Sequence, residues 1–155
     1  MKFPDDWLPP PPVVDPGGCP TCPSSAKVQS IWSTPSASGD LIQLHHARLV
    51  EGRGLEGDRY FLKQGTYTCM AEPGRQLTLI SADSAAAALS AREIQLPNLG
   101  CVRRNVHVSG ITASELLDLR GCAVDIGAEC RIFVHRHCVP CAYNAARNAA
   151  PDFMD

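Results

Sequence analysis

The sequence contains no hydrophobic run that approaches the ~20 residues of a membrane-spanning helix, and its acidic first residues lack the apolar core of a secretory signal. An excess of one charge sign is also missing, because 14 basic and 16 acidic residues give a formal net charge of −2. This balance removes the electrostatic case for nucleic acid or an acidic membrane as a partner. We therefore expect a cytoplasmic protein with no nucleic-acid partner and no membrane partner.

Lysine is scarce as well: only three of the 14 basic residues are lysines, Lys2, Lys27 and Lys63, and the others are arginines. None of the three lies in a segment suited to bind pyridoxal phosphate, so that cofactor is expected only through a partner. The guanidinium fork of arginine suits phosphate and carboxylate groups, so the placement of individual arginines is the more informative feature.

The chain divides near residue 25. Four consecutive prolines at residues 9–12 and a Pro-Gly-Gly turn at residues 16–18 predict a flexible tail over residues 1–25. Hydrophobic residues make up 45% of the whole chain, which excludes global disorder and predicts a globular domain over residues 26–155.

Short β-rich runs predict six strands in this domain, at residues 28–32, 41–50, 76–80, 105–108, 123–126 and 130–136. Ser81 is the expected N-cap of one helix, and a capping box at residues 112–115 opens a second helix. A third short helix is expected at residues 141–150. Many short strands with few helices predict a β-rich α+β fold, either a barrel or a sandwich.

Eight cysteines are many for a chain of 155 residues. Without an export signal we expect them to be mostly reduced, which favours metal-binding or nucleophilic roles over a disulfide framework. Four of them have no metal-ligand spacing and are expected to be small apolar residues: Cys69, Cys101, Cys122 and Cys130.

Two segments combine glycine or arginine with polar residues. Residues 52–60 have closely spaced glycines, which let the backbone approach a ligand, followed by Asp58 and Arg59. A tight hairpin with a solvated ion pair is the alternative. Residues 103–108 place Arg104 and Asn105 at the start of a strand, where they could bind a phosphate and a heterocycle. The alternative is a charged strand end that protects a sheet edge.

A third segment, residues 134–141, combines a C-x-x-C motif with two histidines and Arg136. A nearby cation lowers the pKa of a thiol, and the thiolate is both a nucleophile and a metal ligand. The alternative is a non-enzymatic zinc-binding module, whose four ligands would be Cys19, Cys22, Cys138 and Cys141.

Taken in order, these segments resemble the MOSC domain, which is named for the C-terminal part of molybdenum cofactor sulfurases. The resemblance covers about residues 26–141. It rests on Gly-Leu-Glu-Gly-Asp-Arg at residues 54–59, Arg-Gln-Leu-Thr-Leu-Ile-Ser at 75–81, Arg-Asn-Val-His-Val-Ser-Gly-Ile at 104–111, a leucine-rich helix, Gly127 and Pro140-Cys141. It implies a MOSC-like β-barrel with a few short helices, in a small stand-alone member of the family.

The resemblance also implies a function: binding of the molybdenum cofactor (molybdopterin), or a sulfur-carrier role in which a cysteine thiolate or persulfide ligates or sulfurates that cofactor. The family's hallmark cysteine corresponds to Cys141, which is the candidate catalytic residue and metal ligand. A cysteine in a similar C-x-x-C binds molybdenum in the related mitochondrial amidoxime-reducing enzymes. Arg136, or a protonated histidine, is expected to hold Cys141 as thiolate. The family positions that contact phosphate and pterin correspond to Arg59, Arg75, Arg104 and Asn105.

Two features depart from the family. Its members usually continue past the Pro-Cys with further strands, whereas this sequence ends at Asp155, and the pair Cys19 and Cys22 is not a family feature. We expect a minimal version of the domain or a pocket completed by a partner subunit. The protein would act as a sulfur transferase or as part of a molybdenum-dependent oxidoreductase. Its expected partners are the cofactor or a sulfurated metabolite, with a cysteine desulfurase or an oxidoreductase as protein partner.

Overall fold

The computed structural model describes residues 19–70, 73–139 and 142–148. In chain order its strands are β1 (Lys27–Ser33), β2 (Ile42–Leu44), β3 (Leu49–Val50), β4 (Gly54–Leu55), β5 (Leu79–Ser81), β6 (Val106–Ser109), β7 (Ala123–Ile126) and β8 (Cys130–Phe133). The α-helices are α1 (Ala82–Ala91), α2 (Ala113–Asp118) and α3 (Ala142–Arg147), and a 3-10 helix spans Leu99–Val102. The sheet-rich α+β class expected from the sequence is confirmed.

A four-stranded sheet in the order β2-β1-β6-β5 is the largest sheet of the described structure. Strand β1 pairs antiparallel with both β2 and β6, and β5 pairs parallel with β6, with α1 between them in sequence. The pairs β3–β4 and β7–β8 form two further sheets. Within the described ranges these three sheets do not close into a barrel, so the finer part of the fold prediction is not seen there.

The strand predicted at residues 41–50 is wrong as a single element. Its first half is β2, which pairs with β1, and its second half is β3, which pairs with β4 in another sheet. Because the two halves follow different partners, the backbone leaves the first sheet between them. The strand predicted at residues 130–136 is shorter, since β8 ends at Phe133, opposite the first residue of β7.

The predicted starts of the first two helices are confirmed. Ser81 Oγ accepts a hydrogen bond from Ser84 N at 3.1 Å as the N-cap of α1, and it donates to the Ile111 carbonyl at 2.6 Å. Thr112 and Glu115 form the capping box of α2. Ser81 therefore ends β5, begins α1 and ties both to the segment that follows β6.

Most of the predicted tail, residues 1–18, lies outside the described residues. Cys19 forms a disulfide with Cys122, which directly precedes β7, and Ser25 Oγ donates to the Gly110 carbonyl at 2.8 Å. The expectations of reduced cysteines and of an apolar Cys122 are thus corrected for this pair, which spans 103 residues and has no local sequence signal. The cysteines described as free are Cys22, Cys69, Cys101, Cys130 and Cys138.

The apolar core draws residues from nearly every part of the described chain. Its buried members include Trp32, Leu55, Ala82, Val102, Val106, Ile111, Leu119 and Ala145. Gly100 packs directly against the Trp32 ring, where a β-carbon would lie within 2.5 Å of a ring atom. In the residues that the structure describes, no helix is long and apolar enough to cross a membrane.

His107 is a titratable group inside this core. It lies in β6, is 0% exposed, and faces Trp32 with the ring centroids 6.0 Å apart. Within the described structure neither ring nitrogen makes a hydrogen bond of good geometry. Burial lowers the pKa of His107 below the ordinary histidine value; the backbone of Arg104 opposes this shift and the charge of Arg104 adds to it.

We expect His107 to make the protein less stable as the pH falls. Its folded-state pKa is lowered, so the unfolded chain binds the proton first and stability decreases below the ordinary histidine pKa of about 6.5. Urea unfolding of His107→Leu across this range should show a weaker pH dependence than the unmodified chain. His46→Leu, at an exposed position, serves as the control. Parallel losses in all three proteins would contradict the assignment.

Candidate anion-binding site

The topology of the central sheet places three chain segments at the same end of its strands. Strands β5 and β6 run parallel, whereas β1 runs antiparallel to β6, so the starts of β5 and β6 lie beside the end of β1. Thr78 precedes β5, Asn105 precedes β6, and Ser33 ends β1. Strand β6 lies between β1 and β5, so the alternative in which residues 103–108 protect a sheet edge is wrong.

Asn105 joins these segments to residues 52–60, which we call the glycine-rich loop. It is 0% exposed, its Nδ2 donates to the Trp32 carbonyl and to Asp58 Oδ2, both at 3.1 Å, and its Oδ1 accepts from Thr78 N at 3.2 Å and Thr78 Oγ1 at 3.0 Å. Two donors and two acceptor sites exhaust the hydrogen-bonding capacity of an amide side chain. The resemblance predicts direct contact between a cofactor and the Asn105 amide. In this geometry the amide has no hydrogen-bonding capacity left for a cofactor, and it holds Asp58 instead.

Asp58 is a fully buried carboxylate with several donors. Its Oδ2 accepts from Ser33 Oγ at 3.4 Å, from Arg59 Nη1 at 3.3 Å and from Asn105, while its Oδ1 accepts from Tyr60 N at 3.1 Å. The side chains of Asp58 and Arg59 are 0% and 8% exposed. The alternative of a solvated ion pair in this loop is thus wrong, because the pair is buried.

The glycine-rich loop is held against the segment that leads into β5. Gly54 has a φ of +87°, and a β-carbon there would collide with the Gln76 carbonyl. Only glycine combines this left-handed backbone with so close an approach. The loop therefore presents Asp58 to Asn105, and Arg59 is buried beside Asp58.

Arg59 and Arg75 each lie over a tyrosine ring, and the charges of both act on Tyr60. The Arg59 guanidinium lies 5.2 Å from the centre of the Tyr60 ring, and the Arg75 guanidinium lies 5.2 Å from that of Tyr67. Burial raises the pKa of Tyr60; the charges of Arg59 and Arg75 lower it, and Cys138 and Tyr67 raise it. Cys138, from the distant C-x-x-C segment, thus lies within electrostatic range of Tyr60.

Arg104 connects the start of β6 to the same segment. Its Nη2 donates to the Cys138 carbonyl at 3.1 Å. The loop that carries Arg75 contacts this segment too, since the Gly74 backbone packs against the His135 side chain.

We call the group of Arg59, Tyr60, Arg75, Arg104 and Cys138 the arginine cluster. Two of the predicted cofactor-binding arginines, Arg59 and Arg75, thus act on Tyr60, and a third, Arg104, contacts the predicted C-x-x-C at Cys138.

Arg136 occupies a different place. It lines an open cleft of about 480 Å³ together with Leu117, Asp118, Arg120, Gly121, His135 and His137. Burial lowers the pKa of His135 in this cleft. Pro140 and Cys141 lie outside the described residues, so the expected pairing of Arg136 with the Cys141 thiolate stays a prediction.

The described residues contain no group of three His, Cys, Asp or Glu side chains that could hold a metal ion. Of the four cysteines in the zinc alternative, Cys19 is bonded to Cys122, Cys22 and Cys138 are free, and Cys141 lies outside the description. In the disulfide-bonded form Cys19 has no thiolate to offer a metal. Zinc binding by all four would require that disulfide to open.

Three site residues have roles that the sequence did not reveal. Tyr60 follows Arg59 directly, and its phenol is the group on which the charges of Arg59 and Arg75 act. Thr78 holds Asn105. Arg103, the neighbour of Arg104, is buried and donates to the carbonyls of residues 37 and 39, so it stabilises a loop. Adjacency to a predicted site residue is the sequence signal that could have found Tyr60 and Arg103.

In comparisons with protein-family models, with curated proteins and with solved structures, nothing matches this chain.

Removing the Asp58 carboxylate should destabilise the fold strongly. In Asp58→Ala the Arg59 charge stays buried without its partner, a loss of about 3–5 kcal/mol in unfolding free energy. The matched control is Asp125→Ala, which breaks the exposed cross-strand pair with Arg131 and should change stability far less. Guanidinium unfolding of both variants measures the difference. Equal losses would show that the buried network is not the stronger constraint.

Proposed function

We propose that this chain is a MOSC-like domain that binds the molybdenum cofactor, or carries sulfur for it, with the arginine cluster as the anion site and Cys141 as the reacting thiol. The observation that supports this most is the hydrogen bond from Arg104 to the Cys138 carbonyl. It ties a cation at the start of β6 to the C-x-x-C segment, and the charges of Arg59 and Arg75 act on Tyr60 together with Cys138 of that segment.

The donor set has the chemistry that such a cofactor needs. Guanidinium groups bind phosphate through paired hydrogen bonds, and a cysteine thiolate is a metal ligand. The cofactor, when bound, would supply the redox and sulfur chemistry of its molybdenum centre. The protein's part would be to hold the anionic end with Arg59, Arg75 and Arg104. Asp58 would fix the direction of Arg59 through their buried ion pair.

In the sulfur-carrier form of the proposal, the Cys141 thiolate attacks the terminal sulfur of a donor persulfide. A new S–S bond forms at Cys141, the S–S bond of the donor breaks, and the donor leaves as a thiolate. A cysteine desulfurase would supply that persulfide, and with it the pyridoxal phosphate chemistry. The MOSC barrel belongs to this proposal and is supported by the sheet-rich α+β fold and the order of the motifs. A cytoplasmic location is proposed with it.

Arg104→Ala should weaken binding of isolated molybdenum cofactor about 10- to 150-fold. This corresponds to the loss of one charge-assisted contact of roughly 1.5–3 kcal/mol. The control is Arg131→Ala, an arginine paired with Asp125 on the β7–β8 hairpin and outside the cluster. Fluorescence titration of the pterin gives both dissociation constants. Equal affinities for the two variants would remove Arg104 from the site.

Cys141 should be the first cysteine to react with iodoacetamide at neutral pH, because the cations close to it in sequence, Arg136 and the histidines on either side of Arg136, would favour its thiolate. Cys130 should be slow, since burial and the Asp125 charge raise its pKa. After incubation with a cysteine desulfurase and cysteine, cyanolysable sulfur should be present in the native chain and in Cys138→Ser, and absent from Cys141→Ser.

Elemental analysis of the purified chain separates this proposal from its rival. Bound molybdenum, or a bound pterin that is lost in Cys141→Ser, would support the proposed cofactor-binding or sulfur-carrier function. One zinc per chain that is lost in Cys19→Ser would support the zinc module instead, and full sulfur loading of Cys141→Ser would contradict the assigned thiol.

A further inference from the structure

We propose that Cys19, Cys22 and Cys122 form a thiol–disulfide exchange site, in which Cys22 opens the Cys19–Cys122 disulfide. Cys19 and Cys122 are joined across 103 residues, and Cys22 is a free, half-buried thiol three positions after Cys19. This site is separate from the arginine cluster and does not depend on the proposed function.

The position of Cys22 makes it the nearest candidate along the chain. It lies between two attachments, the Cys19–Cys122 disulfide and the hydrogen bond from Ser25 to the Gly110 carbonyl. Three residue steps span at most about 11 Å, and a disulfide needs α-carbons about 4.4–6.8 Å apart, so a bend over residues 19–22 suffices. Pro20 and Pro23 flank this short segment.

Burial decides which sulfur Cys22 attacks. Cys122 is 4% exposed, whereas Cys19 is exposed. Exchange rates depend on access to the attacked sulfur, so Cys19 is the accessible end of the bond. Cys130 is a poor competitor for the same bond, because it begins β8 at the turn of the β7–β8 hairpin and Cys122 precedes β7 at the open end.

The step balances without an external oxidant. The Cys22 thiolate attacks Cys19 Sγ, the Cys19–Cys22 bond forms and the Cys19–Cys122 bond breaks. Cys122 leaves as a thiolate and takes up a proton, so the number of disulfides and of free thiols is unchanged. The reverse step restores the first pairing.

The exchange would change what holds the β7–β8 hairpin. The Cys122 carbonyl accepts from Val134 N at 2.9 Å, and Gly121 N donates to the Val134 carbonyl at 2.8 Å. These bonds continue the hairpin beyond β7 and β8 towards His135 and the open cleft that Gly121 and His135 line. With Cys19 transferred to Cys22, the hairpin loses its covalent link to residue 19, and a free thiol appears at its base.

The test follows disulfide pairing in the full chain. Free thiols are blocked with N-ethylmaleimide after incubation at increasing pH, and non-reduced peptides are mapped by mass. We expect both Cys19–Cys122 and Cys19–Cys22 peptides from the native chain, with exchange about tenfold faster per pH unit below the thiol pKa. Cys22→Ser should retain only Cys19–Cys122 with Cys122 unlabelled, while the matched control Cys130→Ser should exchange like the native chain.

A second measurement needs no substitution: alkylating Cys22 in the native chain before the pH change should abolish the exchange. The proposal is overturned if Cys122 becomes labelled as fast in Cys22→Ser as in the native chain. It is also overturned if the native chain yields no Cys19–Cys22 peptide, or if Cys19 and Cys122 are both found reduced after purification in air.

Discussion

The carboxylate of Asp58 is the constraint on which the described structure depends. A buried charge is costly unless donors surround it, and the donors here come from two strand ends of the central sheet and from the loop itself. Ser33 ends β1, Asn105 precedes β6, and Arg59 and Tyr60 follow Asp58 in the loop. Each of these segments has to lie where it does for the charge to be satisfied. Asp58 therefore joins the central sheet to the glycine-rich loop, together with the hydrogen bond from Arg59 N to the Thr34 carbonyl at 2.7 Å.

The hydrogen bonds of Asp58 hold Arg59, and with it one side of the arginine cluster, in place. A binding site is most effective when its side chains are held by neighbours that are themselves packed and hydrogen-bonded. Arg59 is fixed through Asp58, and Asp58 through Asn105, which is in turn held by Thr78. The residues expected from the sequence to touch a ligand thus divide into two kinds. Arg59, Arg75 and Arg104 belong to the arginine cluster. Asn105 acts on it indirectly, by holding Asp58.

The features that the sequence predicted correctly are local ones. The caps at Ser81 and Thr112 depend on residues three positions away, so spacing alone identifies them. The division of residues 41–50 into β2 and β3 depends on which strand each half pairs with. The residues of the segment do not determine these partners by themselves. The same holds for Cys19 and Cys122, since their pairing requires the whole fold. Among the site residues, the order of the motifs selected the arginines, but only three-dimensional contacts reveal that Asn105 is already satisfied.

The long sequence distances within the central sheet also have a kinetic consequence. Strand β1 pairs with β6 through residues as far apart as Lys27 and Ser109, and the contact from Asn105 to Asp58 needs that pairing together with the docked loop. Contacts of this kind form only after the chain has paid for closing long loops, so proteins rich in them fold slowly. The Asn105–Asp58 contact joins residues 47 positions apart and is one of these long-range contacts. The buried network therefore belongs to the part of the structure that contributes to slow folding.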